Sequence, residues 1–277
     1  MSQKSYNNTA TLYLIPTPIG NMDDITIRAV KTIEMVDFLL TEDTRVTGLL
    51  LSHLNISKKM IANHEHNEIR NKELVIESLK DGKNIGLVSD RGTPVISDPG
   101  YNIAKHVIEN GYNVVGLPGA TALIPALITS GIDPMPFIYY GFLNSKPSQR
   151  DKELEELKNN KMTMIFYEAP HRLAKTLMSM KEIFGNRKIS ISREISKKFE
   201  EIYRGTIEEV LEEIGEVKGE LVIVVEGNKE KTELTDEELM KQVKNLIDLG
   251  TKPIDAIKEV AKQTGNTKSY IYDLYHK

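Results

Sequence analysis

Four apolar runs in this sequence end on side chains capable of acid–base or binding chemistry. Residues 85–88 (Ile-Gly-Leu-Val) lead into Ser89-Asp90, then Arg91-Gly92-Thr93-Pro94 and Ser97-Asp98-Pro99-Gly100. Residues 38–40 empty into Thr41-Glu42-Asp43-Thr44-Arg45, and residues 60–63 into His64-Glu65-His66-Asn67-Glu68. Residues 163–167 give way to Glu168-Ala169-Pro170-His171-Arg172. Carboxylates accept hydrogen bonds, and a carboxylate or an imidazole can take a proton from a reacting group. Two more bends are built from small residues: Pro16-Thr17-Pro18-Ile19-Gly20-Asn21 and Pro118-Gly119-Ala120-Thr121-Ala122. Strand-to-helix connections usually take roughly 2–6 residues. The segment after Asp90 is about twice that long and repeats an acidic, proline and glycine theme, which points to a small-molecule site rather than to ordinary punctuation.

These bends must be held by regular elements. β-branched runs at residues 11–15, 38–40, 60–63, 85–88 and 113–117 read as strands. Helix-period segments lie between them, one opened by Asp23-Asp24 and carrying Ile25, Ile27, Val30, Ile33 and Val36. Alternating strand and helix predict a largely parallel sheet covered on both faces. Ligands of such sheets sit beyond the carboxyl ends of the strands. After Thr121 the pattern changes: strands near residues 137–142, 163–167, 188–192, 200–204 and 220–225 predict a second, mixed sheet, with Arg204-Gly205-Thr206 as a tight connection. Finally, Thr235-Asp236-Glu237-Glu238 fits a capping box. Gly250, Pro253, Gly265 and Thr267 punctuate the helices that follow, giving a helix-turn-helix candidate or a small packing module. The expected division is an α/β domain over residues 11–117, a second over 118–228, and a small helical domain over 233–277.

The totals set bounds. A chain of 277 residues, 40% hydrophobic and 27% charged, can bury real cores, but its net charge of −4 leaves any nucleic-acid partner to a local basic patch. No cysteine is present, so disulfides, thiolate metal sites and cysteine nucleophiles are excluded. The start lacks the layout of a signal peptide and no apolar run approaches about 18 residues, so a cytoplasmic protein with no membrane association is expected.

Six segments in order carry a resemblance: LYLIPTPIGNMDDITIRA, TEDTRVTGLL, HEHNE, SDRGTPVISDPGY, LPGATA and FYEAPHRL. They resemble the cytidine 2′-O-ribose methyltransferases of small-subunit (16S) ribosomal RNA, whose fold is that of the tetrapyrrole methylases, and the match runs over residues 12–227. The resemblance implies two α/β domains with S-adenosylmethionine in the cleft between them, in a homodimer. Carried over by position, the cofactor would touch Pro18 and Ile19, then Asp90, Gly92, Thr93 and Pro94, then Gly119, Ala120 and Thr121, and finally Phe166 and Tyr167. Asp90 would accept from ribose hydroxyls or face the cationic methionine moiety, and apolar neighbours would suit the adenine. The missing GxGxxG fingerprint is consistent with this fold. Arg91 stands where the family usually carries alanine.

Methyl transfer to a ribose hydroxyl is an in-line displacement that needs alignment, exclusion of water and help with a proton, but no metal. Substrate-side candidates are Glu42, Asp43, Arg45, His66 and Glu168, together with His64, Glu65 and Asn67. A His-x-His pair can ligate metal, but no further His or Cys completes a site here. Glu42 and Asp43 could instead serve only a helix N-terminus, and Pro170 could mark a helix start. Arg91, His171, Arg172, Arg193, Lys197 and Lys198, with Lys146 and Arg150, form the expected RNA-facing rim. Tyr139 and Tyr140 could stack on bases or lie in the core. Two rivals remain: a tetrapyrrole C-methyltransferase using the same cleft, and a non-catalytic ribosome-binding factor, for which Arg91 is the only sign.

Overall fold

The structure is a computed structural model that describes residues 3–5, 9–64, 67–229 and 235–276. It divides into two compact units, Met1–Gly227 and Asn228–Lys277.

The first unit contains two five-stranded sheets. The first sheet is built from β1 (Thr11–Leu14), β2 (Phe38–Thr41), β3 (Met60–Ala62), β4 (Ile85–Val88) and β5 (Asn113–Gly116), in the order β3-β2-β4-β1-β5. Every pairing in it is parallel. All five strands therefore end on the same edge. Apolar side chains alternate between the faces, as the pleat requires. Leu12, Leu40, Ile85 and Leu87 pack under α3 (Glu68–Lys80) and α4 (Tyr101–Glu109) through Val75, Leu79, Ile103 and Val107. Ile15, Leu39, Val88 and Val115 pack under α1 (Ile27–Met35) and α2 (Thr44–His53) through Ile33 and Leu51. Helices on both faces are the usual condition for a parallel sheet.

One expectation changes here. Asp23-Asp24 do not open α1; they form a separate 3-10 turn, Met22–Asp24, and α1 is capped by the Thr26 hydroxyl, which accepts from the Ala29 amide at 3.0 Å. Thr26 breaks the helical pattern because its extended backbone frees its side chain for the cap.

The second sheet joins β6 (Phe137–Phe142), β7 (Thr163–Glu168), β8 (Lys188–Arg193), β9 (Glu201–Thr206) and β10 (Leu221–Val225), in the order β6-β7-β10-β8-β9. Only β6 and β7 pair in parallel, so the sheet is mixed, as expected. In β10, Leu221, Ile223 and Val225 face one core with α6 (Pro147–Leu157), α7 (Leu173–Phe184) and α8 (Ile207–Glu213). Val222 and Val224 face the other, with α5 (Leu123–Thr129). Arg204-Gly205-Thr206 is strand, not a tight connection. The chain leaves β9 directly into α8, whose capping box joins Thr206 and Glu209. The tight connection is residues 194–200, between β8 and β9, where Glu194 (φ 50°) and Ser196 (φ 68°) take the left-handed conformation.

The second unit packs α9 (Asp236–Asp248), α10 (Pro253–Thr264) and α11 (Lys268–Tyr275) around Leu239, Val243, Ile257, Val260 and Ile271. The Thr235–Glu238 capping box and the Thr267 cap are both present. Among the described residues no helix is long and apolar enough to cross a membrane.

Candidate active site

Three bends far apart in sequence meet at the carboxyl edge of the first sheet. The Thr17 amide donates to the Gly92 carbonyl at 2.9 Å, and the Gly92 amide donates back to the Thr17 carbonyl at 3.0 Å. The Thr93 hydroxyl donates to the Ala120 carbonyl at 3.1 Å, and the Thr17 hydroxyl to the Ser89 carbonyl at 3.2 Å. Contacts this close demand small residues. A Cβ on Gly119 would stand 2.6 Å from the Pro16 Cβ, and Gly92, at φ +80°, would bring one to 3.3 Å from Ile19. The loop after β4 is also strained, because Val95 (φ 77°) and Ser97 (φ 61°) sit in the left-handed region without being glycine. For a β-branched residue this is a genuine outlier, and such strain clusters at functional sites.

A cavity of about 580 Å³ opens over the joined bends. Ile19, Gly92, Thr93 and Thr121 line it from the three bends, and Phe142, Tyr167, Leu221 and Val222 from the second sheet, with Ile195 from the 194–200 connection. The Tyr167 ring meets Tyr139 and Phe142 edge-on, with centroids 5.1 and 5.6 Å away. The Tyr139 and Ser97 hydroxyls share a hydrogen bond of 2.7 Å. One wall is thus apolar and aromatic, suited to a flat heterocycle.

The cavity is also acidic. Glu42, after β2, and Asp90 and Asp98, from the long loop between β4 and α4, line it. Burial, then the charges of Glu42 and Asp90, push Asp98 up to about 7 against a hydrogen bond from Ser89. Burial and then Asp90 raise Glu42 above its ordinary value. Asp90 is raised chiefly by burial, partly offset because its Oδ1 accepts the Asp43 amide at 3.0 Å. Three clustered carboxylates with elevated pKa values resist all being ionised at once, so the cavity favours a cation.

The structure sorts the residues expected from the sequence. Of the cofactor set, Ile19, Asp90, Gly92, Thr93, Thr121 and Tyr167 line the cavity. Pro18, Pro94, Gly119 and Ala120 belong to the bends without lining it. Phe166 is a correction: strand alternation turns its ring into the α7 core, where it is fully buried. Of the proton-handling candidates, Glu42 and Glu168 reach the cavity. Glu168 is buried and engaged throughout: it accepts the Ala169 amide at 2.8 Å and the Thr176 hydroxyl, and it lies 3.1 Å from Arg172 Nε. It holds the β7–α7 junction rather than offering a free oxygen. Asp43 caps α2 and forks onto Arg45, whose guanidinium beside it holds its carboxyl down to about 2, far too acidic for a general base. Neither Asp43 nor Arg45 lines the cavity. Glu65 and His66 lie outside the described residues.

The expected basic rim is also revised. Arg150 is not on a rim at all; it is buried under α7, donating to the Ser179 hydroxyl at 2.9 Å. Arg193 pairs with Glu201 at 2.6 Å, and Lys197 bridges Glu194 at 2.8 Å and Glu220 at 3.0 Å. Arg91 also pairs with Glu220, which draws its guanidinium to the cavity mouth. Arg172 donates to the Leu143 carbonyl at 2.7 Å. The Asn67 side chain is taken up by its own turn, accepting the His64 amide at 2.8 Å and donating to the Ala62 carbonyl at 2.9 Å. His64, His171, Lys146 and Lys198 are exposed. Tyr140 is partly exposed and Tyr139 lies against the cavity wall. Among the described residues no cluster could hold a metal.

Sequence reasoning missed Asp98. Its signal was visible, since Ser97-Asp98-Pro99-Gly100 repeats the acidic theme of the same long loop. Glu220, Leu221 and Val222 were missed for a different reason: β10 reads as plain core, and only its amino end reaches the cavity.

A cavity at the carboxyl edge of a parallel sheet, walled by a second sheet, places the protein among α/β enzymes, whose ligands sit beyond the carboxyl ends of the strands. A sequence profile of the tetrapyrrole (corrin/porphyrin) methylases matches residues 11–211, and the chain belongs to that family. The chain is 46% identical over 285 residues to ribosomal RNA small subunit methyltransferase I of Bacillus subtilis, covering 100% of this chain and 97% of the relative. Its counterpart of the same name in Haemophilus influenzae is 44% identical over 273 residues, covering 95% of each. Among solved structures, uroporphyrin-III-C-methyltransferase from Thermus thermophilus matches with a TM-score of 0.56 at 17% identity, covering 78% of this chain and 94% of that one. A diphthine synthase matches with a TM-score of 0.60 at 13% identity, covering 79% and 90%. At such identities these structures speak to the fold alone.

Proposed function

We propose that this protein transfers a methyl group from S-adenosylmethionine to the 2′-hydroxyl of a cytidine ribose in the 16S RNA of the small ribosomal subunit. The observation that carries the reading is identity above 40% along the whole chain with methyltransferases named for small-subunit ribosomal RNA. The lining of the cavity supports the cofactor. Carboxylates on one side suit a sulfonium and an ammonium, and Phe142, Tyr167, Leu221 and Val222 on the other suit an adenine. Ile19, Asp90, Gly92, Thr93, Thr121 and Tyr167 would hold it. Bound there, S-adenosylmethionine supplies an electrophilic methyl group.

The chain's own residues do the rest. The pinned bends fix the ligand's position, and the two sheets limit the water that reaches it. Glu42, on the carboxyl end of β2, has a raised pKa and can take the hydroxyl proton, a task for which Asp43 is too acidic. Exposed Lys146, His171 and Lys198 can meet RNA phosphate. A homodimer and a cytoplasmic location complete the reading. The porphyrinoid rival matches at 17% identity, against 46% for the ribosomal RNA methyltransferase, and Arg91, the sign for the non-catalytic rival, is paired with Glu220.

Small subunits incubated with methyl-labelled cofactor and digested to nucleosides should yield label in 2′-O-methylcytidine. Label in no 2′-O-methylated nucleoside would overturn the assignment.

A further inference from the structure

Strand β6 is not regular. Ile165 and Phe166 are neighbours in β7, yet they pair with Tyr139 and Gly141, so Tyr140 is an extra residue and the strand bulges there. A bulge shifts the alternation of side chains by one position, and bulges are over-represented beside active sites. The effect of the shift is visible in the rings. Tyr139 and Phe142, three residues apart, would point to opposite faces of a regular strand. Here both meet Tyr167 edge-on, at 5.1 and 5.6 Å. Gly141, at φ +91°, leaves a gap in the bulge, and a Cβ there would stand 3.3 Å from the Ser97 hydroxyl oxygen. Ser97, from the long loop of the first sheet, reaches this gap and shares its 2.7 Å hydrogen bond with the Tyr139 hydroxyl.

We propose, resting on the function assigned above, that Tyr139 is a positioning residue for the methyl donor. Its hydroxyl, seated by the β6 bulge, holds Ser97 and with it the loop between β4 and α4 in the shape that receives the donor. Tyr139 does not itself line the cavity, whereas Ser97 and its loop neighbours Thr93, Ile96 and Asp98 do. The loop needs such a tether. Val95 and Ser97 stand at φ 77° and 61°, and a left-handed conformation without glycine persists only where the surroundings enforce it. At one end the loop is tied by the Thr93 hydroxyl, which donates to the Ala120 carbonyl at 3.1 Å. At the other, Gly100 lies so close to Leu87 that a Cβ would stand 3.0 Å away. The Tyr139 bond reaches the middle of the loop, and it does so from the opposite sheet. Burial raises Tyr139 above the ordinary phenol range, so its hydroxyl keeps its proton and can donate or accept. That hydroxyl also engages Tyr167, which engages Thr121 of the third bend.

The consequence is a matter of populations. With the tether cut, the strained loop relaxes toward other shapes, and the donor must select the competent one from among them. Apparent affinity then falls by the competent fraction. The loss of one hydrogen bond corresponds to about threefold to tenfold. Transfer itself is unaffected once the donor is bound, because the Tyr139 hydroxyl acts through Ser97 and not on the reacting atoms.

Calorimetric titration of the full chain with S-adenosylmethionine compares the parent, Tyr139→Phe, Ser97→Ala and the double variant, each checked for folding by circular dichroism. Tyr139→Phe keeps the ring and its contact with Tyr167 and loses only the oxygen. Each single variant should bind the donor about threefold to tenfold more weakly, and the double variant no more weakly than the worse single one, because both cut the same bond. With small ribosomal subunits as substrate, Tyr139→Phe should raise the donor KM by the same factor and leave kcat within about twofold of the parent. Donor affinity within about twofold of the parent in folded Tyr139→Phe, or losses that add in the double variant, would overturn the action of Tyr139 through Ser97 while leaving the methyltransferase assignment standing. A parent protein that binds no donor would overturn both.

Discussion

The two sheets of the first unit divide the work. The parallel sheet places all its carboxyl ends on one edge, and from that edge come the carboxylates, the pinned bends and the strained loop of Val95 and Ser97. The mixed sheet cannot do this, because its antiparallel strands end alternately at opposite edges. It contributes a wall instead, the rings of Phe142 and Tyr167 and the start of β10. The three carboxylates with raised pKa and the close approach of the bends come from the first sheet, and the aromatic rings come from the second. The comparison teaches why a two-faced ligand, cationic at one end and flat at the other, suits this fold.

Substitutions can break that division, beginning with the largest effect. Phe166→Ala removes a fully buried ring from the second sheet's core on the side away from the cavity. It should cost about 3–5 kcal/mol of stability, read as a lowered denaturation midpoint. Donor affinity in the folded fraction should stay within a few-fold of the parent, and a selective loss of affinity would place Phe166 in the site after all. Asp90→Ala deletes a carboxylate that faces the cavity and receives the Asp43 amide. The donor should bind on the order of tenfold to a hundredfold more weakly, as expected for losing a charged hydrogen bond worth about 1.5–3 kcal/mol. Unchanged affinity would remove Asp90 from the site.

Gly119→Ala forces a methyl against the Pro16 ring, so the bends must part. Overpacking of this kind costs about 1–3 kcal/mol, and donor affinity should drop with it. A variant that keeps full affinity would show that the bends need not touch. The smallest effect belongs to Arg91→Ala. Its pair with Glu220 is exposed on both sides, so stability should change by about 0–1 kcal/mol. A larger loss would mean that the pair holds the two sheets together, rather than decorating the mouth between them.

Much of this was legible in the sequence, and the reasons are particular. The Ile85–Val88 strand announces itself as an apolar run, and the bends at Thr17, Gly92 and Ala120 announce themselves through glycine and proline. What sequence could not show was their mutual contact, since Thr93 and Ala120 are 27 positions apart and only the fold pairs them. The 194–200 connection was invisible because its left-handed residues, Glu194 and Ser196, are not glycine. Helix α8 went unrecognised although Thr206 and Glu209 spell a capping box, because Gly205 suggested a turn. A charge count does not reveal pairing within the basic rim: Arg193 pairs with Glu201, Arg91 with Glu220, and Lys197 with Glu194 and Glu220. Arg150 was misplaced because a guanidinium looks exposed until its buried partner, Ser179, is seen.

A crystal structure of the protein soaked with S-adenosylmethionine tests the central claim most directly. The account predicts one molecule in the cavity bordered by Ile19, Thr93 and Thr121, its sulfonium toward Glu42, Asp90 and Asp98 and its adenine against Tyr167 and Val222. Density for the donor at any other place on the protein would contradict it.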